Sequence, residues 1–139
     1  APVLNAGSLH STVLDIFQSG KETVAILDVS ATAHMPDVLE MPYRPNLTLD
    51  GVPSLERGTH RYQLGGSTCL AGDIIGPYSF HRPLKIGDRL IFQDMAQYTM
   101  VKTTYFNGIQ HPSITLRDES GNEQMIRSFD YEDFKRRLM

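Results

Sequence analysis

Apolar residues in this chain come in short runs, and glycine or proline cuts nearly every run before a long helix could form. Gly (11) and Pro (8) are scattered as punctuation through 139 residues, with no internal repeat and no low-complexity tract. That is the habit of short strands joined by turns. Thr23–Val29 (TVAILDV) is the clearest case, β-branched and broken by one acid, and reads as a buried strand ending at Asp28. Leu9–Phe17 is ambiguous from periodicity: Leu9, Val13, Leu14, Ile16 and Phe17 could share a helical face, yet Thr12, Val13 and Ile16 favour a strand.

Further strands are expected at Arg61–Leu64, at Arg89–Phe92 after the turn Pro83–Asp88, and over a long Tyr98–Phe106 ending at Asn107-Gly108. Ser113–Arg117 and Gln124–Arg127 flank Glu119-Ser120-Gly121-Asn122, a hairpin signal. Ala33–Leu49 carries Pro36, Pro42 and Pro45, which leave room for one helical turn at Pro36–Glu40. Asp130–Met139 places acids early and Lys135, Arg136 and Arg137 late, as a helix dipole prefers. The expected fold is mainly β, a barrel or sandwich with short helices, its core drawing on Val24, Ile26, Leu27, Leu90, Phe92, Met100, Val101, Ile114 and Leu116.

Composition narrows the function classes. The length suits one domain and is too short for a barrel enzyme. A net charge of −3, with no basic stretch longer than Lys135-Arg136-Arg137, argues against nucleic acid as the main partner. No apolar run approaches the roughly 18 residues of a membrane span. The single cysteine, Cys69, excludes an internal disulfide and a multi-cysteine zinc cage, and it fits a reducing cytoplasm. The first residue, Ala1, is consistent with Met removal or with a piece of a longer protein.

Few residues advertise chemistry on their own. Cys69 follows Gly65-Gly66, a pair that suggests close backbone approach, so its thiol is either reachable in a polar loop or a small buried hydrophobe. Five histidines (His10, His34, His60, His81, His111) stand in no motif that fixes geometry, and none pairs with Cys69 at metal-ligand spacing, so no metal site is expected. Asp28 closes a strand, where it could hold a cationic group or cap the turn at Ser30. Asp37 and Glu40 lie three apart and can face one side of a helical turn, as a pocket or as a solvated face. Tyr98 and Phe106 share one face of the expected strand. Neither GxxxxGK[ST] nor GxGxxG occurs, which sets nucleotide folds aside.

Read together, Gly65–Asp73 (GGSTCLAGD), Gly87–Phe92 (GDRLIF), Asp94–Thr99 (DMAQYT) and Phe106-Asn107-Gly108 resemble, in matching order, the C-terminal half of fold-type III pyridoxal-phosphate decarboxylases. His34–Pro45 and Tyr98–Thr104 resemble the carboxynorspermidine and carboxyspermidine decarboxylases within that group, more than the ornithine or diaminopimelate enzymes.

The resemblance implies a Greek-key β-barrel like the C-terminal domain of alanine racemase and ornithine decarboxylase, spanning residues 1–139. It also implies an N-terminal (β/α)8 barrel, absent from this chain, that holds pyridoxal phosphate on a lysine. None of Lys21, Lys85, Lys102 or Lys135 lies in a motif resembling that anchor. The enzyme would be a cytoplasmic homodimer of polyamine synthesis, its site shared across the interface, and this portion alone would be inactive. Leu9–Phe17 and Thr23–Val29 then become the first hairpin.

Carried over residue by residue, Cys69 becomes the catalytic cysteine, a proton source after CO2 leaves, and Tyr98 the tyrosine at the cofactor phosphate. Asp28 becomes an acid for the substrate's distal amine, and Phe106 an aromatic wall. Leu70 stands where ornithine and diaminopimelate enzymes carry an acid after the cysteine, so Asp37 and Glu40 are expected to take over amine recognition. A non-catalytic β-barrel binding module remains the alternative outside this class.

Overall fold

Leu9, Ser11 and Val13 point inward at every second position, the period of a half-buried strand, and they open the longest strand of the fold, β1 (Ser8–Ser19). Residues 6–139 are described by the computed structural model. β1 is joined by β2 (Glu22–Leu27), β3 (Leu47–Leu49), β4 (Val52–Pro53), β5 (His60–Gly65), β6 (Ile74–Phe80) and β7 (Arg89–Gln93) in one sheet. The sheet order is β4-β3-β7-β1-β2-β5-β6, while β8 (Ile114–Arg117) and β9 (Glu123–Arg127) form a separate antiparallel pair. Short helices intervene: α1 (Ala31–His34), α2 (Asp37–Glu40), α3 (Tyr98–Val101) and the terminal α4 (Tyr131–Leu138).

β1 serves two neighbours in turn. Ser8–Thr12 pair with β7 and the remainder pairs with β2. At the change of partner the Val13 amide donates to Asp88 O (2.9 Å), and the register shifts between Val13 and Asp15. Such a shift bends a strand. A bridge between Leu55 and Ser79 then ties the chain after β4 to β6, so the two ends of the strand order meet and the sheet curls into a partial barrel. Its interior holds Phe80, Phe92, Leu27, Leu47, Leu49, Leu64 and Leu90, each almost inaccessible to solvent. Burial of such side chains contributes about 1.5–3 kcal/mol apiece before conformational entropy is subtracted.

The mainly β, barrel-like expectation holds, as do the first hairpin, the helical turn after Pro36, the β8–β9 hairpin and the terminal helix. In α4 the Asp130 carboxylate accepts from the Glu132 and Asp133 amides, and Asp133 accepts in return from the Asp130 amide, a complete capping box.

One expected strand fails, and part of the expected core is exposed. Tyr98–Phe106 is not a strand but α3 followed by a 3-10 turn at Phe106–Gly108. β7, the preceding strand, is already flanked by β1 and β3, so the sheet offers no edge there. The threonines of the segment bond back to earlier residues of the chain instead: Thr103 Oγ1 donates to Thr99 O (2.9 Å) and Thr99 Oγ1 to Met95 Sδ (3.3 Å). Consequently Met100 and Val101 face outward, and Leu116, on a hairpin apart from the main sheet, does too.

Two polar contacts lock the loops at one end of the barrel. The Asp73 carboxylate, 4% exposed, accepts from Ser30 Oγ (2.8 Å), the Thr32 amide (3.2 Å), the Thr68 amide (3.1 Å) and Thr68 Oγ1 (2.6 Å). Gly66 is required beneath it, because a Cβ there would come within 2.5 Å of Asp73 Cγ. The second contact is His34, 2% exposed, whose Nδ1 accepts from the Ser30 amide (3.1 Å) and whose Nε2 donates to Gln110 O (3.0 Å). Burial is the main cause that holds its pKa below the ordinary 6.5.

Asp73→Ala is expected to destabilise the protein by about 3 kcal/mol, since it strands buried donors that a charged acceptor now satisfies. Gly66→Ala should lower the thermal midpoint through the same contact. Because the folded His34 pKa is depressed, its stabilisation is complete above the unfolded value of 6.5 and is lost as pH falls through the lower folded value. The Thr104 amide, which donates to Ala33 O (2.8 Å) beside it, should therefore exchange hydrogen faster below that pH, relative to β1 amides. His34→Leu should abolish this pH step.

Candidate functional site

The loop between β5 and β6 turns tightly around Asp73. The Gly66 amide donates to Asp73 O (2.9 Å) and the Asp73 amide to Leu70 O (2.9 Å), which leaves Cys69 exposed at the crest. Its own amide donates to Asn107 Oδ1 (3.1 Å), a side chain from the 3-10 turn. That bond ties Cys69 to the turn that also carries Phe106, which is 39% exposed.

A second group forms around α2 and α3. Lys102 makes an ion pair with Glu40, and its ammonium lies 5.5 Å from the centre of the Tyr98 ring. Tyr98 itself is 63% exposed. The bond to Glu40 raises the Lys102 pKa, so this amine is held protonated. Asp37, on the same helix as Glu40, accepts from Tyr43 OH (2.7 Å) through Oδ2, while its buried Oδ1 has no partner. Burial first, and then the bond to Asp37, push the Tyr43 hydroxyl above the usual tyrosine range.

The two groups are joined by their backbone. Lys102 reaches Glu40, Thr104 donates to Ala33, and Asn107 accepts from Cys69, so the segment from α3 through the 3-10 turn touches each wall in turn. Asp28 stands apart. It is exposed just beyond β2, and its Oδ1 accepts from the Thr12 amide of β1 (2.7 Å), so it ties the first two strands together and does not cap the turn at Ser30 as weighed from sequence. Among the described residues it makes no hydrogen bond to the other five candidates.

The arrangement is an open face. A groove of about 510 Å3 lies beside α2, lined by Val38, Leu39, Pro42, Tyr43, Arg44, Ile74 and Ile75, and it contains none of the six candidate residues. Among the described residues no three His, Cys, Asp or Glu side chains converge on a metal position, and no helix is long and apolar enough to cross a membrane. For pyridoxal phosphate the chain presents a thiol, a phenol and an aromatic ring at the surface, groups that fit one wall of such a site. Lys102, protonated on Glu40, is not placed as a carbonyl-reactive amine.

Sequence reasoning did not single out Asp73, His34, Lys102 or Asn107. Asn107-Gly108 did signal a turn, but the partner of the Asn side chain lies 38 residues away.

Comparison with known proteins supplies the context. Residues 5–96 match the family described as pyridoxal-dependent decarboxylase, C-terminal sheet domain. A carboxyaminopropylagmatine decarboxylase of Synechocystis sp. is 55% identical over 132 residues, covering 95% of this chain and 34% of that protein. A carboxynorspermidine/carboxyspermidine decarboxylase of Campylobacter jejuni is 42% identical over 140 residues, covering 94% of this chain and 36% of that protein. The crystal structure of carboxynorspermidine decarboxylase from Campylobacter jejuni, complexed with norspermidine, superposes with a TM-score of 0.85 at 40% identity, over 96% of this chain and 39% of that one. A diaminopimelate decarboxylase from Helicobacter pylori shares the fold at a TM-score of 0.80 and 15% identity, covering 98% of this chain and 32% of that one. The chain thus spans about a third of the length of the curated relatives it matches. The curled sheet, the Gly66-to-Asp73 loop that lifts Cys69 and this run of matches place the chain in the C-terminal sheet-domain family of the pyridoxal-dependent decarboxylases.

Proposed function

We propose that this chain is the C-terminal part of a two-domain, pyridoxal-phosphate-dependent decarboxylase that removes CO2 from an α-carboxylated polyamine, carboxynorspermidine or carboxyspermidine, in the cytoplasm. The observation that carries this reading is the exposed Cys69, tethered to Asn107 on an open face. The relatives' printed names, all decarboxylases of carboxylated polyamines or of an agmatine derivative, support it. The barrel with the cofactor lysine lies outside this chain, and the enzyme is a homodimer whose site draws on both subunits. Met41, Tyr43, Leu70, Tyr98, Met100 and Val101, exposed on the segments that bear the candidates, suit a face covered by the rest of such an assembly.

When bound, pyridoxal phosphate supplies an electron sink for the pair left at the α-carbon as CO2 departs. The chain's own residues orient, exclude water and move one proton. The Cys69 S–H bond breaks as a C–H bond forms at the α-carbon, and the thiolate recovers its proton from water. Tyr98 OH would hold the cofactor phosphate as a hydrogen-bond donor, and Phe106 would wall the substrate from solvent. Asp37 Oδ1, buried and unpartnered, is the carboxylate oxygen readiest for an ammonium of the substrate. Glu40 shares that ammonium when the substrate displaces Lys102, and Asp28 receives the distal amine through the oxygen not bonded to Thr12.

The 55% identity to the Synechocystis protein favours a second reading of the substrate's far end, a guanidinium in place of an amine. Rates of CO2 release by the full-length protein from carboxynorspermidine, carboxyspermidine and carboxyaminopropylagmatine separate the two. Turnover of diaminopimelate or ornithine in preference to all three would overturn both.

Within that protein, Cys69→Ala should lower kcat by about 10²–10⁴-fold, the usual contribution of a positioned proton donor, with little change in KM. Glu40→Gln should raise KM for the preferred polyamine by roughly tenfold or more, as expected when a charge-assisted bond is lost. An unchanged KM would remove Glu40 from the site. Subunits carrying Cys69→Ala, mixed with subunits lacking the cofactor lysine, should recover part of the activity if the site is shared, and no recovery would count against sharing.

A further inference from the structure

Asn107 has two properties that nothing in its own turn requires together. Its backbone lies in the left-handed region (φ 58°, ψ 16°), where asparagine is among the few tolerated side chains. Its Oδ1 reaches out of the turn to accept the Cys69 amide at 3.1 Å.

The turn that carries it is braced from below. The Gly108 amide donates to Tyr105 O (2.8 Å), and the Phe134 ring of α4 packs on the bare face of Gly108, where a Cβ would sit 3.5 Å from the ring. Tyr105 stacks on His111 with ring centres 3.7 Å apart and meets Phe134 at 5.9 Å. Asn107 therefore projects from a firm base.

On the other side, the residues flanking Cys69 in its loop are anchored by one residue, Asp73. Thr68 is tied by its amide and hydroxyl to the Asp73 carboxylate, and Leu70 O is tied by the Asp73 amide. Those bonds hold the residues before and after Cys69. Asn107 supplies the bond to Cys69 itself, and it comes from a different element. This bond restrains the backbone from which the thiol projects.

Resting on the function proposed above, we infer that Asn107 is a positioning residue: its side-chain carbonyl holds the Cys69 backbone so that the thiol faces the substrate α-carbon when the proton is returned. An error of about 1 Å in such a donor can cost about a hundredfold in rate. Because the bond acts on the proton-transfer step and not on the substrate's amines, its loss falls on kcat.

The test compares Asn107→Gly, Asn107→Asp and Cys69→Ala in the full-length, cofactor-loaded enzyme. Glycine keeps the left-handed backbone but removes the acceptor. Aspartate keeps both. The readouts are kcat and KM for the preferred polyamine, together with the rate at which iodoacetamide alkylates Cys69, followed on its own peptide by mass spectrometry. Asn107→Gly should lower kcat at least tenfold, leave KM within twofold and change the Cys69 alkylation rate several-fold. Asn107→Asp should return all three towards wild type, a rescue that general loosening of the turn would not produce. Wild-type kcat in Asn107→Gly beside a crippled Cys69→Ala overturns the role of Asn107 alone. Wild-type kcat in Cys69→Ala overturns the proposed function and this role with it.

Discussion

The carboxylate of Asp73 organises one end of this domain. It accepts from the residue that begins α1, from the first turn of that helix and from both donors of Thr68, so two loops far apart in sequence share one buried charge. Such a group is stable only when its oxygens are well supplied with donors. The supply dictates the surroundings: a glycine at position 66 to let the carboxylate approach, a serine at the cap of α1, and a threonine just before Cys69. The crest of the Cys69 loop is therefore held in place by an interaction that has no chemistry of its own to perform.

The segment from Tyr98 to Gln110 completes the face. It runs along the end of the barrel, paired to α2 through Lys102 and Glu40, to α1 through Thr104 and Gln110, and to the Cys69 loop through Asn107. Its irregularity is functional in a geometric sense. A strand would present alternate side chains to two sides at a fixed spacing, whereas a helical turn followed by a 3-10 turn delivers Tyr98, Lys102, Phe106 and Asn107 to different neighbours. The pair Lys102–Glu40 also keeps a carboxylate neutralised on an open face, with an internal ammonium as its partner.

Much of this was readable from residue order. β2, β5, β7, the β8–β9 hairpin and the terminal helix follow from alternation, turn residues and charge placement, which are local properties, whereas β1 is ambiguous from periodicity and becomes a strand only through the family resemblance. Gly65-Gly66 before Cys69 announced a close approach, and the approaching group is Asp73. The failure lay at Tyr98–Phe106, where β-branched residues suggested a strand. Intrinsic preference lost there to topology, since both sides of β7 were already taken.

By itself, then, the sequence determined the class of fold, the family and the identity of the side chains available for chemistry, because these rest on short-range pattern and on motifs in order. Only the tertiary structure decided which of them meet. Cys69 with Asn107, Glu40 with Lys102 and His34 with Gln110 are separated by 38, 62 and 76 residues. No local propensity encodes such pairs; they arise because a curled sheet brings the ends of distant strands to the same rim, where donors and acceptors must find partners or remain in water.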